Sequence, residues 1–181
     1  MHGEIGYLNQ IEMEEIIMEK RRLYAAYGSN MNLEQMSRRC KTAKVVGCGL
    51  IEGYTLIFKG MPNNAYATIE PVEERHIKYG CTKVVIWELQ ESDEQALDIY
   101  EGYPRFYKKK KVKVKTFEGG DIEDVMVYIM NEDLCREVNL PSDAYYQIIK
   151  AGYFQNDLSG SSLMIAYGKA NKVVRVRGVT K

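Results

Sequence analysis

The amino-acid sequence predicts an α+β domain in which a small mixed β-barrel, or a strongly curved sheet, is flanked by a few helices. Short apolar runs rich in β-branched and aromatic residues recur along the chain and are mostly separated by turn residues, a pattern typical of strands. Few helical stretches lie between these runs, whereas a wound parallel sheet needs a helix after nearly every strand. A sheet that curves upon itself is therefore favoured. The length of 181 residues suits one domain.

The predicted strands cover residues 23–27, 44–53, 54–59, 65–70, 82–89, 106–117 and 123–130. In the longest of these runs, lysine occupies positions 109, 111, 113 and 115, with Val112 and Val114 between them. This period of two predicts one solvated and one buried strand face. Acidic residues follow across the next turn, so the interpretation is a hairpin with paired charges, and a patch for an anionic partner is the weaker alternative.

Three helices are predicted from their start signals. A polar residue followed three positions later by glutamine predicts a capping box, at Asn32 and Gln35 and again at Ser92 and Gln95. The first of these helices runs to residue 40 and the second ends near Glu101. The sequence Pro-Ser-Asp at 141–143 opens the third helix.

The two ends of the chain are predicted to lie outside the domain, which spans residues 22–158. Residues 1–21 form an N-terminal amphipathic helical arm, because Ile11, Met13, Ile16 and Ile17 share one helix face. Residues 159–181 form a C-terminal extension that packs on or beside the domain. Packing, a dimer contact and a lid are the roles left open for these ends, and the oligomeric state, a homodimer included, is left open as well.

The charge balance argues against several partners. Lys and Arg together number 25 and so do Asp and Glu, which removes the basic excess that drives binding to phosphates. Nucleic acid is therefore not expected as a partner. The apolar runs are too short to span a bilayer, and the first residues are acidic where a secretory signal is basic. These features predict a cytoplasmic protein with no membrane partner.

The cysteines and histidines argue against metal and cofactor chemistry. The four cysteines form no C-x-x-C pair, which makes a tetrahedral zinc site improbable. Of the two histidines, His2 lies near a terminus and His76 stands in a charged stretch, so a nucleophile activated by histidine would depend on His76 alone. We expect neither a metal nor a cofactor.

The first candidate site segment is Tyr27-Gly28-Ser29-Asn30-Met31, which lies between an apolar strand and the helix that Asn32 caps. Glycine at such a turn lets the backbone approach a ligand closely. Free N–H groups at the start of a helix favour an anion or a developing oxyanion. The turn is thus a candidate binding loop, although a Gly-Ser-Asn turn alone is common.

The second candidate segment contains Glu101. If residues 93–101 are helical, Glu101 lies one turn beyond Leu97, on the side that faces the core. Gly102 suits a left-handed cap, which places Glu101 in the last turn, where the helix dipole disfavours an anion. Apolar surroundings and the dipole both raise the pKa of Glu101 above about 4.3, as a general base near neutrality requires. A surface glutamate at a helix end is an equally consistent interpretation of this segment alone.

In combination, these segments resemble the gamma-glutamylcyclotransferase-like proteins, including the cyclotransferase of aminoglycoside biosynthesis and the plant avirulence-induced proteins. The matching positions cover roughly residues 22–158 and keep the family order: Tyr27 to Met31, Phe58, Ala67-Thr68-Ile69, Gly80, Leu97-Asp98, Glu101-Gly102, Tyr107, Val112, Val114, Tyr128-Ile129-Met130, Pro141-Ser142, Tyr145 and Ile149. The resemblance implies a small mixed barrel flanked by helices.

The resemblance also implies a reaction, in which the α-amino group of a gamma-glutamyl amide attacks its own γ-carbonyl and releases 5-oxoproline. Glu101 matches the general acid/base position. The implied substrate-binding residues are the loop Tyr27, Gly28, Ser29, Asn30 and Met31 together with Tyr107, Tyr128 and Tyr145. A hydroxyl of Tyr128 or Tyr145 could bond the substrate or Glu101.

The implied substrate is a small gamma-glutamyl amine or amino acid, and the chemistry demands no cofactor. Two alternatives remain at this point. One is a non-catalytic module that binds a small molecule or peptide on the same fold. The other is a cyclotransferase that acts on a gamma-glutamyl group attached to a carrier protein or to a lysine side chain.

Overall fold

The computed structural model describes residues 21–73, 80–134 and 136–179. The predicted N-terminal arm and both histidines lie outside these residues. The elements in chain order are β1 (Arg22–Ala26), α1 (Leu33–Arg39), β2 (Lys44–Glu52), β3 (Tyr54–Met61), β4 (Asn64–Pro71), β5 (Cys81–Leu89), α2 (Glu91–Glu101), β6 (Tyr107–Thr116), β7 (Asp121–Met130), α3 (Asp143–Gln155) and α4 (Ser161–Val179). Short 3-10 turns occupy Ser29–Met31 and Glu132–Leu134.

Five strands close into a barrel in the order β1-β5-β2-β6-β7. Neighbouring strands run antiparallel, except that β1 closes the barrel against β7 in parallel, with Tyr24 opposite Met126. Strands β3 and β4 form a separate two-stranded sheet that contacts β5 and β7. The predicted α+β class with a small mixed barrel is confirmed.

Burial of the alternating apolar residues closes the barrel. Val114 on β6 and Val125 and Val127 on β7 have no exposed surface, and neither do Val84 and Val85 on β5. Removing these side chains from water is the main favourable contribution to folding. The same closure fixes where the ends of β1, β6 and β7 lie relative to one another.

The lysine-rich strand β6 pairs with β7, as the period of two predicts. Val112 and Val114 are buried, while Lys113 lies 2.8 Å from Asp121 and 2.8 Å from Glu123, and Lys111 lies 3.7 Å from Asp124. These exposed ion pairs contribute little to stability. They confirm the hairpin with paired charges.

The predicted helix starts are right in two cases and wrong in one. The side chain of Asn32 accepts a hydrogen bond from the Gln35 amide, and Ser142 caps α3 in the same way through the Tyr145 amide. The predicted capping box of Ser92 and Gln95 is wrong, because α2 begins earlier, at Glu91. Gln90 is its N-cap and forms the reciprocal pair with Asp93.

The C-terminal extension forms helix α4, which packs against β3 through buried Leu163, Ala166 and Ala170. Each helix within residues 21–73, 80–134 and 136–179 is too short or too polar to span a lipid bilayer.

Helix α3 supports the turn at Ser29–Met31 through a close contact at Gly152. A Cβ atom at Gly152 would lie 2.8 Å from the Asn32 nitrogen and 2.8 Å from the Met31 Cβ, which no ordinary packing permits. Glycine is therefore required here for close approach, although it lowers the helix propensity of α3.

We expect Gly152→Ala to lower the free energy of unfolding by about 1–3 kcal/mol, because the new methyl overpacks against backbone atoms that cannot move cheaply. Gly168→Ala on α4 is the matched control, since a Cβ there meets nothing within 4 Å. That control should instead stabilise the protein by about 0.5–1 kcal/mol through helix propensity. Chemical denaturation measures both changes, and equal effects at the two positions would contradict the packing argument.

Candidate active site

A cavity of about 410 Å³ opens between the end of β1, the end of α2, the barrel strands β6 and β7, and helix α3. Aromatic side chains form most of its wall, and a smaller group of backbone and polar groups lies among them. The lining residues are Tyr24, Tyr27, Gly28, Ser29, Asn30, Tyr66, Ala67, Tyr100, Glu101, Gly102, Phe106, Tyr107, Tyr128 and Tyr145. A cavity of this size and composition suits a small molecule.

The turn after β1 offers backbone donors to the cavity. The Met31 amide donates to the Gly28 carbonyl (3.0 Å), and the Asn32 amide donates to the Ser29 carbonyl (3.1 Å). Within the part of the chain that the structure describes, the amides of Gly28, Ser29 and Asn30 donate to no backbone acceptor. Because the first N–H groups of such a turn have no partner inside the turn, and because these three residues line the cavity, their amides are candidate donors to a ligand.

Glu101 is the last residue of α2 and turns toward this loop. Gly102 ends the helix in the left-handed conformation (φ 63°), as predicted, and the chain then leaves the helix through a hydrogen bond from the Tyr103 amide to the Asp98 carbonyl. The Glu101 carboxylate accepts a hydrogen bond of 2.8 Å from Nδ2 of Asn30. The two candidate segments of the sequence therefore meet in one cavity.

Burial raises the pKa of Glu101 to about 7. The hydrogen bond from Asn30 and the positive charge of Arg39 oppose this rise, because both favour the ionised carboxylate. A carboxyl group with this pKa exchanges its proton near neutral pH, which is the property required of a general acid or base.

Asn30 connects the loop to its surroundings through every polar atom of its side chain. Nδ2 donates to Glu101 and to the hydroxyl of Tyr24 (2.9 Å), and Oδ1 accepts from the guanidinium of Arg39. The Asn30 carbonyl accepts from the indole N–H of Trp87 on β5 (3.1 Å). These bonds satisfy a buried amide and hold the turn to the barrel wall.

The tyrosines line the cavity with their rings, and most of their hydroxyls are bonded to the protein. Tyr27 donates to the Tyr128 carbonyl (2.5 Å), and Tyr107 donates to the Ala67 carbonyl (2.6 Å). The hydroxyl of Tyr145 accepts from the Ala67 amide (3.3 Å). Burial raises the pKa of each of these hydroxyls above its ordinary value, so they remain protonated at neutral pH.

The Tyr128 hydroxyl does not reach Glu101. It donates instead to Asp98, one turn earlier on α2, at 2.6 Å. Lys109 on β6 bonds the same carboxylate (2.7 Å) and that of Glu94 (2.6 Å). In this structure the hydroxyl therefore bonds Asp98 rather than Glu101 and holds the end of α2 against the barrel, and the predicted bond of Tyr128 or Tyr145 to a substrate stays a prediction.

Met31 is placed by the structure away from the cavity. Its side chain is fully buried against Gly152, and its amide is already bonded to Gly28. Met31 is therefore not among the residues that line the cavity, because the 3-10 turn directs its side chain into the core. The other predicted site residues, from Tyr27 to Asn30 together with Glu101, Tyr107, Tyr128 and Tyr145, all line the cavity, and their functional roles stay predictions.

Six residues that line the cavity were not predicted as site residues from the sequence: Tyr24, Tyr66, Ala67, Tyr100, Gly102 and Phe106. A signal existed for Tyr24, because a strand period of two from Gly28 places it on the same face. For Tyr66 and Phe106 the sequence holds no such signal, since they approach the cavity from separate elements. Among the residues described, His, Cys, Asp and Glu form no group of three or more that could hold a metal ion.

Comparison with known proteins assigns the class. A family model described as "Gamma-glutamyl cyclotransferase, AIG2-like" matches residues 24–154, which is most of the chain. The chain therefore belongs to the gamma-glutamyl cyclotransferase, AIG2-like family, as the sequence resemblance indicates. A comparison with curated proteins finds no match.

Three solved structures with the same fold each cover most of this chain. One, named gamma-glutamyl cyclotransferase, is 28% identical, covers 77% of this chain and 82% of its own, and has a TM-score of 0.67. An uncharacterized protein from Homo sapiens is 28% identical, with coverages of 76% and 80% and a TM-score of 0.66. A yeast gamma-glutamyl cyclotransferase specific to glutathione shares the fold at 12% identity, with coverages of 83% and 99% and a TM-score of 0.53.

The raised pKa of Glu101 should make the free energy of unfolding depend on pH. A carboxyl group that titrates near pH 7 when folded and near 4.5 when unfolded lowers the free energy of unfolding as pH rises between these values. Glu101→Gln removes this effect, so the variant should match wild type near pH 4 and exceed it by about 3 kcal/mol at pH 8. Denaturant titrations at both pH values measure the difference, and a difference that does not change with pH would show that Glu101 titrates normally.

Proposed function

We propose that the protein is a gamma-glutamyl cyclotransferase that releases 5-oxoproline from a small gamma-glutamyl amine or amino acid, with Glu101 as general acid and base. The observation that carries the proposal is the position of the Glu101 carboxylate, which is bonded to Asn30 in a cavity lined by Gly28, Ser29 and Asn30 of the same loop. Family membership and the 28% identical structure named gamma-glutamyl cyclotransferase support it.

The chemistry requires one group to carry protons. The α-ammonium group of the substrate gives a proton to the Glu101 carboxylate and then attacks the γ-carbonyl carbon, which forms the new C–N bond of the ring. The amide bond to the leaving amine then breaks as Glu101 returns the proton to that amine. The ring nitrogen still carries a second proton, which the regenerated Glu101 carboxylate takes up and passes to the released amine or to water, so that neutral lactam and free carboxylate remain. The pKa of about 7 allows both transfers near neutral pH.

The remaining barrier is lowered by the substrate and the loop together. The nucleophile and the carbonyl belong to one molecule, so ring closure avoids most of the entropy cost of a bimolecular step. The carbonyl oxygen gains negative charge as the tetrahedral intermediate forms. The amides of Gly28, Ser29 and Asn30 are the preorganised donors proposed to bind this oxygen or the substrate carboxylate.

The cavity also supports a small substrate. Its volume of about 410 Å³ accommodates a gamma-glutamyl group with a modest leaving amine, and aromatic side chains form most of its wall. The mechanism places every chemical step on Glu101, the loop amides and the substrate itself, so the proposal includes no cofactor. A cytoplasmic location remains a prediction from the sequence.

The test is to incubate the protein with a panel of gamma-glutamyl amino acids and amines and to detect 5-oxoproline by chromatography. Glu101→Gln keeps the hydrogen-bond acceptor but cannot take a proton, and we expect turnover to fall by about 10²–10⁴-fold. Glu91→Gln, on the exposed first turn of the same helix, is the matched control and should retain activity. Equal activity of wild type and Glu101→Gln would reject the proposed role of Glu101.

The alternative of a non-catalytic binding module is distinguished by the same panel. Saturable binding of a gamma-glutamyl compound without release of 5-oxoproline from any member would support that alternative. Turnover of any compound in the panel would exclude it.

A further inference from the structure

Arg39, the last residue of α1, binds the loop from the side opposite Glu101. Its guanidinium donates to Oδ1 of Asn30, to Oγ of Ser29 (3.2 Å) and to the Gln35 side chain (2.7 Å), and it stacks 3.6 Å from the ring centre of Tyr100. No carboxylate of the described residues forms an ion pair with it. A partly buried cation thus places its donors on neutral oxygen atoms of the loop.

These contacts determine which way the Asn30 amide points. A guanidinium can only donate hydrogen bonds, and an ionised carboxylate can only accept them. With Oδ1 toward Arg39 and Nδ2 toward Glu101, both bonds are made. Rotating the amide by half a turn would place its NH₂ group against the guanidinium and its oxygen against the carboxylate, so both bonds would be lost at once.

We propose that Arg39 is a positioning residue, which fixes the orientation of the Asn30 amide so that the Glu101 carboxylate always receives its N–H donor. Arg39 itself is not among the residues that line the cavity. The part of this inference that concerns turnover rests on the proposed function. The part that concerns the Asn30 amide and the ionisation of Glu101 does not.

The surroundings of Glu101 make Arg39 the dominant charge. The titratable groups that face the carboxylate are the hydroxyls of Tyr24 and Tyr27 on β1, Tyr107 on β6, Tyr128 on β7 and Tyr145 on α3, which are neutral near pH 7. Asp98 on the same helix is bonded to Lys109 and Tyr128. Arg39 supplies the positive charge that favours the ionised form of Glu101.

Removal of the guanidinium should therefore raise the pKa of Glu101 above about 7, for two reasons. The favourable charge is lost, and the Asn30 amide becomes free to present its oxygen to the carboxylate. Arg39→Met keeps the apolar stem that packs on Tyr100 and removes every donor, whereas Arg39→Lys keeps the charge with a single donor group. Arg38→Met, at the exposed neighbouring position, is the matched control.

The first measurement uses the protein without substrate. Carboxyl ¹³C NMR with labelled glutamate, assigned through Glu101→Gln, gives the titration midpoint of Glu101. We expect a rise of about 1 pH unit in Arg39→Met, a smaller rise in Arg39→Lys and none in Arg38→Met. In wild type, the chemical shifts of the Asn30 side-chain NH₂ group should change with pH at the same midpoint as Glu101. In Arg39→Met, this change in chemical shift should be smaller.

The second measurement is the pH profile of 5-oxoproline release. The acidic limb of the pH profile of kcat/KM should move to higher pH in Arg39→Met by the same amount as the NMR midpoint, and kcat should recover at high pH with KM nearly unchanged.

The inference would be overturned if both Arg39 variants gave the same pH profile and the same NMR midpoint of Glu101 as wild type. If Arg39→Met does not fold, an unchanged midpoint in Arg39→Lys would overturn it alone, and a small upward shift would support it. If wild type releases no 5-oxoproline, the proposed function fails, while the NMR comparison still decides the role of Arg39.

Discussion

The hydrogen bond between Nδ2 of Asn30 and the carboxylate of Glu101 is the contact on which the candidate site depends. It joins a turn near the start of the domain to the end of a helix 71 residues later, and it does so inside an aromatic cavity. A buried carboxylate is costly unless it receives a donor. Among the described residues Asn30 supplies one such donor, which permits ionisation near neutral pH, whereas several donors would stabilise the anion so strongly that it could no longer accept a proton.

The scaffold around this contact keeps both partners in place. Tyr128 and Lys109 hold Asp98, and therefore the last turn of α2, against the barrel. Trp87 holds the backbone of the loop, and Gly152 allows α3 to pack directly beneath it. Closure of the barrel by a parallel contact between β1 and β7 brings the loop and Tyr128 to the same end of the sheet. The geometry of the candidate site thus depends in part on contacts made by Lys109, Trp87 and Gly152, which do not line the cavity.

Much of the fold was predictable because its signals are local. The period of two in β6 separated buried valines from solvated lysines, and Gly102 marked both the end of α2 and the placement of Glu101. The cap of α2 was mispredicted because the buried Asp93 forms the reciprocal hydrogen bonds of the capping box with Gln90 rather than leaving that role to Ser92. Asp93 also accepts a hydrogen bond from Thr42. The burial of Met31 depends on contact with α3, and the role assigned to Arg39 depends on the orientation of one amide. Neither feature has a pattern in the sequence, because both are set by elements that meet only in the folded chain.

The bond between the Trp87 indole and the Asn30 carbonyl gives the site a built-in optical reporter. Trp87 is the only tryptophan in the chain, and it is almost fully buried. Indole emission therefore comes from one environment, directly behind the loop that the substrate is proposed to contact. Any occupant that shifts this loop alters the polarity and hydrogen bonding of the chromophore, so ligand occupancy can be followed by intrinsic fluorescence without labelling the protein.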